Sequence, residues 1–146
     1  MTDAEVFALI QGYVDEINGF AEENFSAMLK PRLTAAGAEP LRADFTFTPT
    51  PWMRNIGGVM HGGISAAMVD LTMGLLAKVI NGGRLAPTVD MTVTYHKPVP
   101  TDRDVFVEVK LVSPGNSVSS VSAVLRACDA PEKALVSAMG LYFTKK

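Results

Sequence analysis

The stretch "HGGISAAMVDLTMGLLAKVINGG", residues 61–83, decides how this chain folds. From Gly62 to Ile80 it reads as one helix with small or apolar residues on every side. Asn81-Gly82-Gly83 ends it through left-handed conformations that Asn and Gly tolerate. A helix that is apolar all round must be covered all round. The rest of the chain supplies the cover. In residues 88–97, Val89, Met91, Val93 and Tyr95 alternate with Thr88, Asp90, Thr92 and Thr94. In residues 105–112, Val105, Val107, Val109 and Leu111 alternate with Phe106, Glu108, Lys110 and Val112. "SPGN" at 113–116 is a hairpin turn, and 117–128 and 134–144 read as two further strands. Upstream, Leu41, Ala43, Phe45 and Phe47 alternate with polar neighbours, and Pro31 and Gly37 frame a first strand. Val6, Ile10, Val14 and Ile17 recur at helical spacing behind a Thr2 or Asp3 cap, and Gly19 ends or bends that helix. The 18–28 stretch is open to a second short helix. Residues 49–61, rich in Pro and Gly, form a structured loop with Trp52 and Met53 as apolar anchors, a setting suited to chemistry.

These patterns predict one α+β domain over residues 1–146, with an N-terminal helical extension at about 1–28. Four strands follow the long helix in antiparallel succession, and the sheet curls around that helix. Charged residues make up 19% of the chain, below the roughly 25% usual for soluble proteins, which points to surface covered in an oligomer. A net charge of −2 without any Lys/Arg block excludes a nucleic-acid surface. The lone Cys128 excludes an intrachain disulfide and argues against a cysteine metal cluster; it reads as a small residue packed in or near a strand. Asp3, Glu5, Asp15 and Glu16 interrupt the N-terminus, which is unlike a secretory signal. No uninterrupted apolar run reaches the ~18 residues of a membrane span. The expectation is a cytoplasmic protein with no membrane partner, no metal and no cofactor.

Gly63, Ala67, Asp70, Gly74 and Ala77 lie on one face of the long helix. A carboxylate in such a helix is costly to bury unless it is paired. Asp70 is therefore either a structural acid bonded to a nearby Thr, Arg or backbone N–H, or a working group. The helix start offers a second feature. Around Gly62 and Gly63 free N–H groups and the positive end of the helix dipole can stabilise an oxyanion. Asp70 lies about 12 Å further along the axis at ~1.5 Å per residue. Either the two features are unrelated, or two chains combine them. In the second case a symmetric dimer has two composite sites, with the small face permitting close approach.

Taken together, "NIGGVMHGG" (55–63), "AAMVD" (66–70) and "TVDMTVTY" (88–95) resemble the hot-dog-fold thioesterases of the phenylacetate-degradation (PaaI-like) type. The resemblance covers about residues 40–144. It implies hydrolysis of an acyl-CoA thioester, with CoA entering as part of the substrate, in a dimer of hot dogs commonly paired into a tetramer. It also implies roles. Gly62 offers its N–H to the thioester carbonyl. Asn55 helps hold the carbonyl or the attacking water. Asp70 from the facing subunit is general base or nucleophile, and Thr88 orients the water beside it. His61 hydrogen-bonds within the loop and keeps the Gly62 N–H aimed. Gly63, Trp52, Met53 and Met73 are candidates for the substrate pocket, and the eight methionines suit an adaptable apolar groove or core. The chain departs from many relatives in its uncharged 113–117 turn, where they carry basic residues; Arg84, Lys97 and Arg103 are the possible replacements. Two other readings are a non-catalytic acyl-CoA or lipid binder using the same groove, and a hydratase or dehydratase. The latter needs an acid–base His, and neither His61 nor His96 has a matching second group in the sequence.

Overall fold

The computed structural model describes residues 1–145. Helix α1 (Asp3–Asn18) opens with a reciprocal cap: Thr2 Oγ1 accepts from the Glu5 N–H at 3.2 Å, and the Glu5 carboxylate accepts from the Thr2 N–H at 2.6 Å. Val6, Ile10 and Val14 form its buried stripe. The 18–28 stretch resolves into a 3₁₀ turn at Ala21–Glu23 and a one-turn helix α2 (Phe25–Met28), capped by Asn24. Strands β1 (Arg32–Ala38) and β2 (Leu41–Phe47) form a hairpin. Ala43, Phe45 and Phe47 are buried along β2, as the alternation predicts. After a 3₁₀ turn at Pro51–Met53, helix α3 runs over Gly62–Ile80. Gly82 and Gly83, at φ +66° and +84°, end it, while Asn81 keeps an ordinary negative φ. Strands β3 (Thr88–Tyr95), β4 (Val105–Ser113), β5 (Val118–Ala127) and β6 (Val136–Phe143) complete the fold.

All six strands join one antiparallel sheet in the order β1-β2-β4-β5-β6-β3. This corrects the expected succession of four neighbouring strands. β4, β5 and β6 are sequential neighbours, but β3 lies at the far edge beside β6, and β4 pairs with β2. The connection at 96–104 explains the difference. It is far longer than a tight hairpin and carries Pro98 and Pro100, which cannot donate to a ladder. It runs past the start of α3, where the Met60 N–H donates to the Val99 carbonyl at 2.9 Å and Val99 is buried. Pairing on one side only leaves β3 mostly exposed; Val89 and Tyr95 are 57% and 53% accessible.

The sheet packs Phe45, Val107, Val109, Val121 and Leu125 against Met68, Val69, Met73 and Leu76 of α3. By length and composition α3 is apolar enough to cross a membrane, and half of it is buried within the domain. Cys128 falls just beyond β5 and is exposed, so it is outside the packed layer expected for it.

If α3 is the core element, Leu76→Ala should lower the unfolding free energy by about 2–5 kcal/mol. Thr2→Ala, which removes only a cap, should cost about 1 kcal/mol. Urea denaturation followed by circular dichroism measures both; near-equal losses would contradict this division of labour.

Candidate active site

Asp70 sits mid-way along α3, partly buried, with one carboxylate oxygen held twice. Thr88 donates to Asp70 Oδ1 at 2.8 Å, and the Tyr142 hydroxyl donates to the same oxygen at 2.8 Å. Thr88 and Tyr142 face each other across β3 and β6, beside a register shift between Thr88 and Asp90. The sheet edge therefore presents two hydroxyls to one carboxylate. Tyr142 reaches it because residue 140 is glycine: a Cβ there would come within 2.5 Å of the Tyr142 ring and 3.1 Å of Met73. Burial, and then the negative charge of Asp70, push the Tyr142 phenol well above its usual range. The phenol is thus a proton donor in this pair. Among the described residues, Oδ2 of Asp70 has no hydrogen-bond donor.

Asp70 lines a cavity of about 370 Å³ between α1, α3 and the segment leading into β3. Its apolar lining includes Ile17, Phe20, Leu71, Leu75, Leu85 and Pro87. Lys78 ties α1 to α3 along its side, 3.3 Å from the Glu16 carboxylate and 4.3 Å above the Tyr13 ring.

The start of α3 is organised separately. His61 is the N-cap, and its Nδ1 accepts from the Gly63 N–H at 2.9 Å. The ring proton therefore belongs on Nε2. His61 is itself anchored by its backbone N–H to the Met53 carbonyl at 2.8 Å. The His61 side chain thus engages the Gly63 N–H, which is occupied. The Gly62 N–H has no acceptor among the described residues, while the Gly62 carbonyl accepts from the Tyr95 hydroxyl at 2.8 Å. Asn55 Oδ1 accepts from the N–H groups of Gly57 at 2.9 Å and Val59 at 3.3 Å, which shapes the loop and leaves the side-chain NH₂ free. Gly62 lines a second cleft, about 330 Å³, with Val59, Ser65, Tyr95 and Lys97. Ser65 is buried there with its hydroxyl unpartnered.

Of the residues singled out in the sequence, Asp70 and Thr88 come together, and His61, Gly62 and Gly63 come together. Within one chain the two groups remain apart: no residue lines both cavities. Met53 and Met73 are buried in the core and line neither cavity. Trp52 is on the surface, edge-on to Phe25 at 6.5 Å. His96 bonds Ser137 at 2.7 Å. Arg84 and Arg103 are engaged, Arg84 by Asn81 and the Lys145 carbonyl, Arg103 by Asp102 and Asp129. Lys97 has no ion pair among the described residues. No three His, Cys, Asp or Glu side chains there converge as a metal-ligating group. Sequence reasoning missed Tyr142. The available signal was a tyrosine on the inward register of a strand, whose hydroxyl needs a buried partner.

Residues 57–132, just over half of the chain, match the thioesterase superfamily. The chain belongs to that superfamily. Helix α3 and strands β3, β4 and β5 lie within the matched region. Over 65 residues the chain is 35% identical to the acyl-coenzyme A thioesterase THEM4 of Xenopus laevis, a match covering 44% of this chain and 28% of that relative. The fold is that of solved hot-dog structures. Thioesterase superfamily member 2 of zebrafish superposes with a TM-score of 0.77 at 19% identity, covering 99% of both chains. The Mus musculus member 2 gives 0.78 at 17% identity over 94% of this chain and 96% of the other. The phenylacetic acid degradation protein PaaI of Thermus thermophilus, as a point mutant, gives 0.70 at 17% identity, covering 82% of this chain and 96% of that one.

Unfolded tyrosine ionises near pH 10, and Tyr142 in the fold holds its proton beyond that. Its contribution to stability is complete below about pH 10 and is lost as pH rises toward the folded value, because the unfolded chain releases the proton first. Wild-type stability should therefore fall above pH 10 more steeply than that of Tyr142→Phe, by up to about 1.4 kcal/mol per pH unit. Denaturant titrations at pH 9 to 11 measure the difference; parallel curves would refute the buried-phenol assignment.

Proposed function

We propose that this chain is an acyl-CoA thioesterase acting on a small-to-medium or aryl acyl group, in a homodimer with two composite sites that pairs further into a tetramer. One observation carries the reading: a helix-borne carboxylate that lines a cavity and has one oxygen fixed by two hydroxyls. Superfamily membership and the THEM4 match support the thioester chemistry. The free Gly62 N–H supports an oxyanion site at the helix terminus. Its distance from Asp70, about 12 Å along the same helix, supports completion by a second copy. The one-sided pairing of β3 leaves backbone groups and apolar side chains for such a copy to cover. Lys97, in the Gly62 cleft, supplies a cation toward CoA phosphate on that side.

In this mechanism the thioester carbonyl lies at the Gly62 N–H of one copy, with the Asn55 NH₂ alongside. Asp70 of the other copy takes a proton from water, and the resulting hydroxide attacks the carbonyl carbon. The tetrahedral oxyanion is held at the helix terminus. Its collapse breaks the C–S bond, and the leaving thiolate accepts the proton that Asp70 took from water. The products are the free acid and CoA thiol. If Asp70 attacks directly, the C–S bond breaks as a mixed anhydride forms, the leaving thiolate takes a proton from solvent, and water then opens the anhydride to the free acid and restores the Asp70 carboxylate. Thr88 and Tyr142 hold the carboxylate in register in either case, at the strength of hydrogen bonds to a charged group.

Thiol release from short, medium, long and aryl acyl-CoA esters tests the activity. Asp70→Asn should lower kcat/KM by about 10²–10⁴-fold while the protein stays folded. Composite sites make a further prediction. Asp70→Asn and Asn55→Ala chains, each impaired alone, should regain activity when dissociated and reassociated together, because a mixed dimer contains one intact site. Full Asp70→Asn activity would overturn the mechanism; no recovery on mixing would overturn the shared site.

A further inference from the structure

The loop that leads into α3 carries an arginine that the mechanism above does not use, and its reading rests on the thioesterase function proposed there. Arg54 stands immediately before Asn55, and its backbone pairs with Met60 in an isolated antiparallel bridge, two residues before Gly62. The bond from the His61 N–H to the Met53 carbonyl, at 2.8 Å, ties the same segment to the start of the helix. The Arg54 side chain is exposed yet held. Its Nε donates to Thr101 Oγ1 at 3.0 Å, and that hydroxyl, on a buried residue, turns to the Gly58 carbonyl at 3.5 Å. A single bond at Nε leaves the four N–H groups at the open end of the guanidinium fork.

Elsewhere in the chain, arginines answer carboxylates. Arg32 meets Asp104 at 3.3 Å, Arg103 meets Asp102 and Asp129 at 2.9 and 3.1 Å, and Arg126 meets Glu108 at 3.6 Å. Among the described residues Arg54 has no carboxylate at ion-pair distance. Asp102, next to Thr101 in the chain, does not supply one, because Arg103 takes both of its oxygens, at 2.9 and 3.3 Å. The free groups nearby are donors or cations as well: the Asn55 NH₂, and Lys97 at the other end of the 97–101 segment, in the Gly62 cleft. A chain of net charge −2 thus keeps an unanswered, pre-oriented guanidinium beside its candidate oxyanion site. The planar fork matches two oxygens of one phosphate, which a lysine ammonium meets only as a point charge.

We propose that Arg54 holds a phosphate of the CoA moiety through two parallel hydrogen bonds. Arg54 is then the residue that makes this chain select thioesters of a phosphorylated carrier over those of bare pantetheine. Thr101 is its positioning residue. The contact is remote from the bond that breaks and persists unchanged through the reaction. It therefore acts on KM and leaves kcat alone.

The test compares the CoA ester and the pantetheine ester of one acyl group, the best in the panel above. The pantetheine ester keeps the thioester and the arm and has no phosphate. Wild type should favour the CoA ester in kcat/KM by about tenfold or more, and the preference should shrink as salt is raised. Arg54→Gln should raise KM for the CoA ester about tenfold, with little change in kcat and none on the pantetheine ester. Arg54→Lys, which keeps the charge and loses the fork, should fall between the two. Equal losses on both esters would make Arg54 a structural residue of the loop and overturn the inference; an unmoved KM for the CoA ester would overturn it too. A wild type that cleaves both esters equally well would do so without any variant, so a poorly folding substitution does not shelter it. In those cases the thioesterase reading stands. A wild type that cleaves neither ester would remove that reading, and this inference with it.

Discussion

The burial of α3 is the constraint on which the rest of the structure depends. A helix with apolar residues on every side has no stable place in water until other elements cover it. Strands β2, β4, β5 and β6 cover part of it with alternating Phe, Val and Leu side chains, and α1 adds its Val6-Ile10-Val14 stripe to the same core; half of α3 is buried within the domain, so one chain does not give the all-round cover that its apolarity predicts. Asp70 is the exception within that helix. Its carboxylate is tolerable because two strands, brought side by side by the sheet, each contribute a hydroxyl. The packing of the domain and the chemistry of the candidate site therefore meet at one residue.

The N-terminus and the middle of α3 are equipped for different tasks. The N-terminus has a capping histidine, a free Gly62 N–H and a nearby lysine; the middle has a fixed carboxylate and an apolar cavity. A rigid helix holds these features at a constant separation, so one chain cannot bring them together by a local adjustment. In the dimer proposed above, a second copy resolves this without bending the helix. The same logic divides the proposed substrate, with its anionic CoA end toward Lys97 and its reacting carbonyl between Gly62 of one copy and Asp70 of the other.

Local periodicity carried most of the fold. The 3.6-residue spacing in α1, the all-round apolarity of α3 and the two-residue alternation in β2 and β4 are properties of neighbouring residues, and the structure has these elements where the patterns put them. Thr88 beside Asp70 was also legible, because a carboxylate in an apolar helix demands a donor and the resemblance named one. Tyr142 was not found, although it donates to the same oxygen. It lies 72 positions away, and nothing local to either residue signals the pairing. The order of the strands was hidden for a similar reason: β3 alternates like any other strand, and alternation is silent about which neighbour a strand chooses.

By itself, the sequence determined where helices and strands form, that one helix must be enclosed, and that its acid needs a partner. These follow from side-chain period, solvation and the cost of a lone buried charge. The tertiary structure alone decided that β3 crosses to the far edge, that Tyr142 and Thr88 share one carboxylate oxygen, that Met53 and Met73 belong to the core, and that an open cavity lies over Gly74. Those are relations between residues distant in the chain. They are set by the path of the 96–104 connection and by which surfaces meet when the sheet closes on the helix.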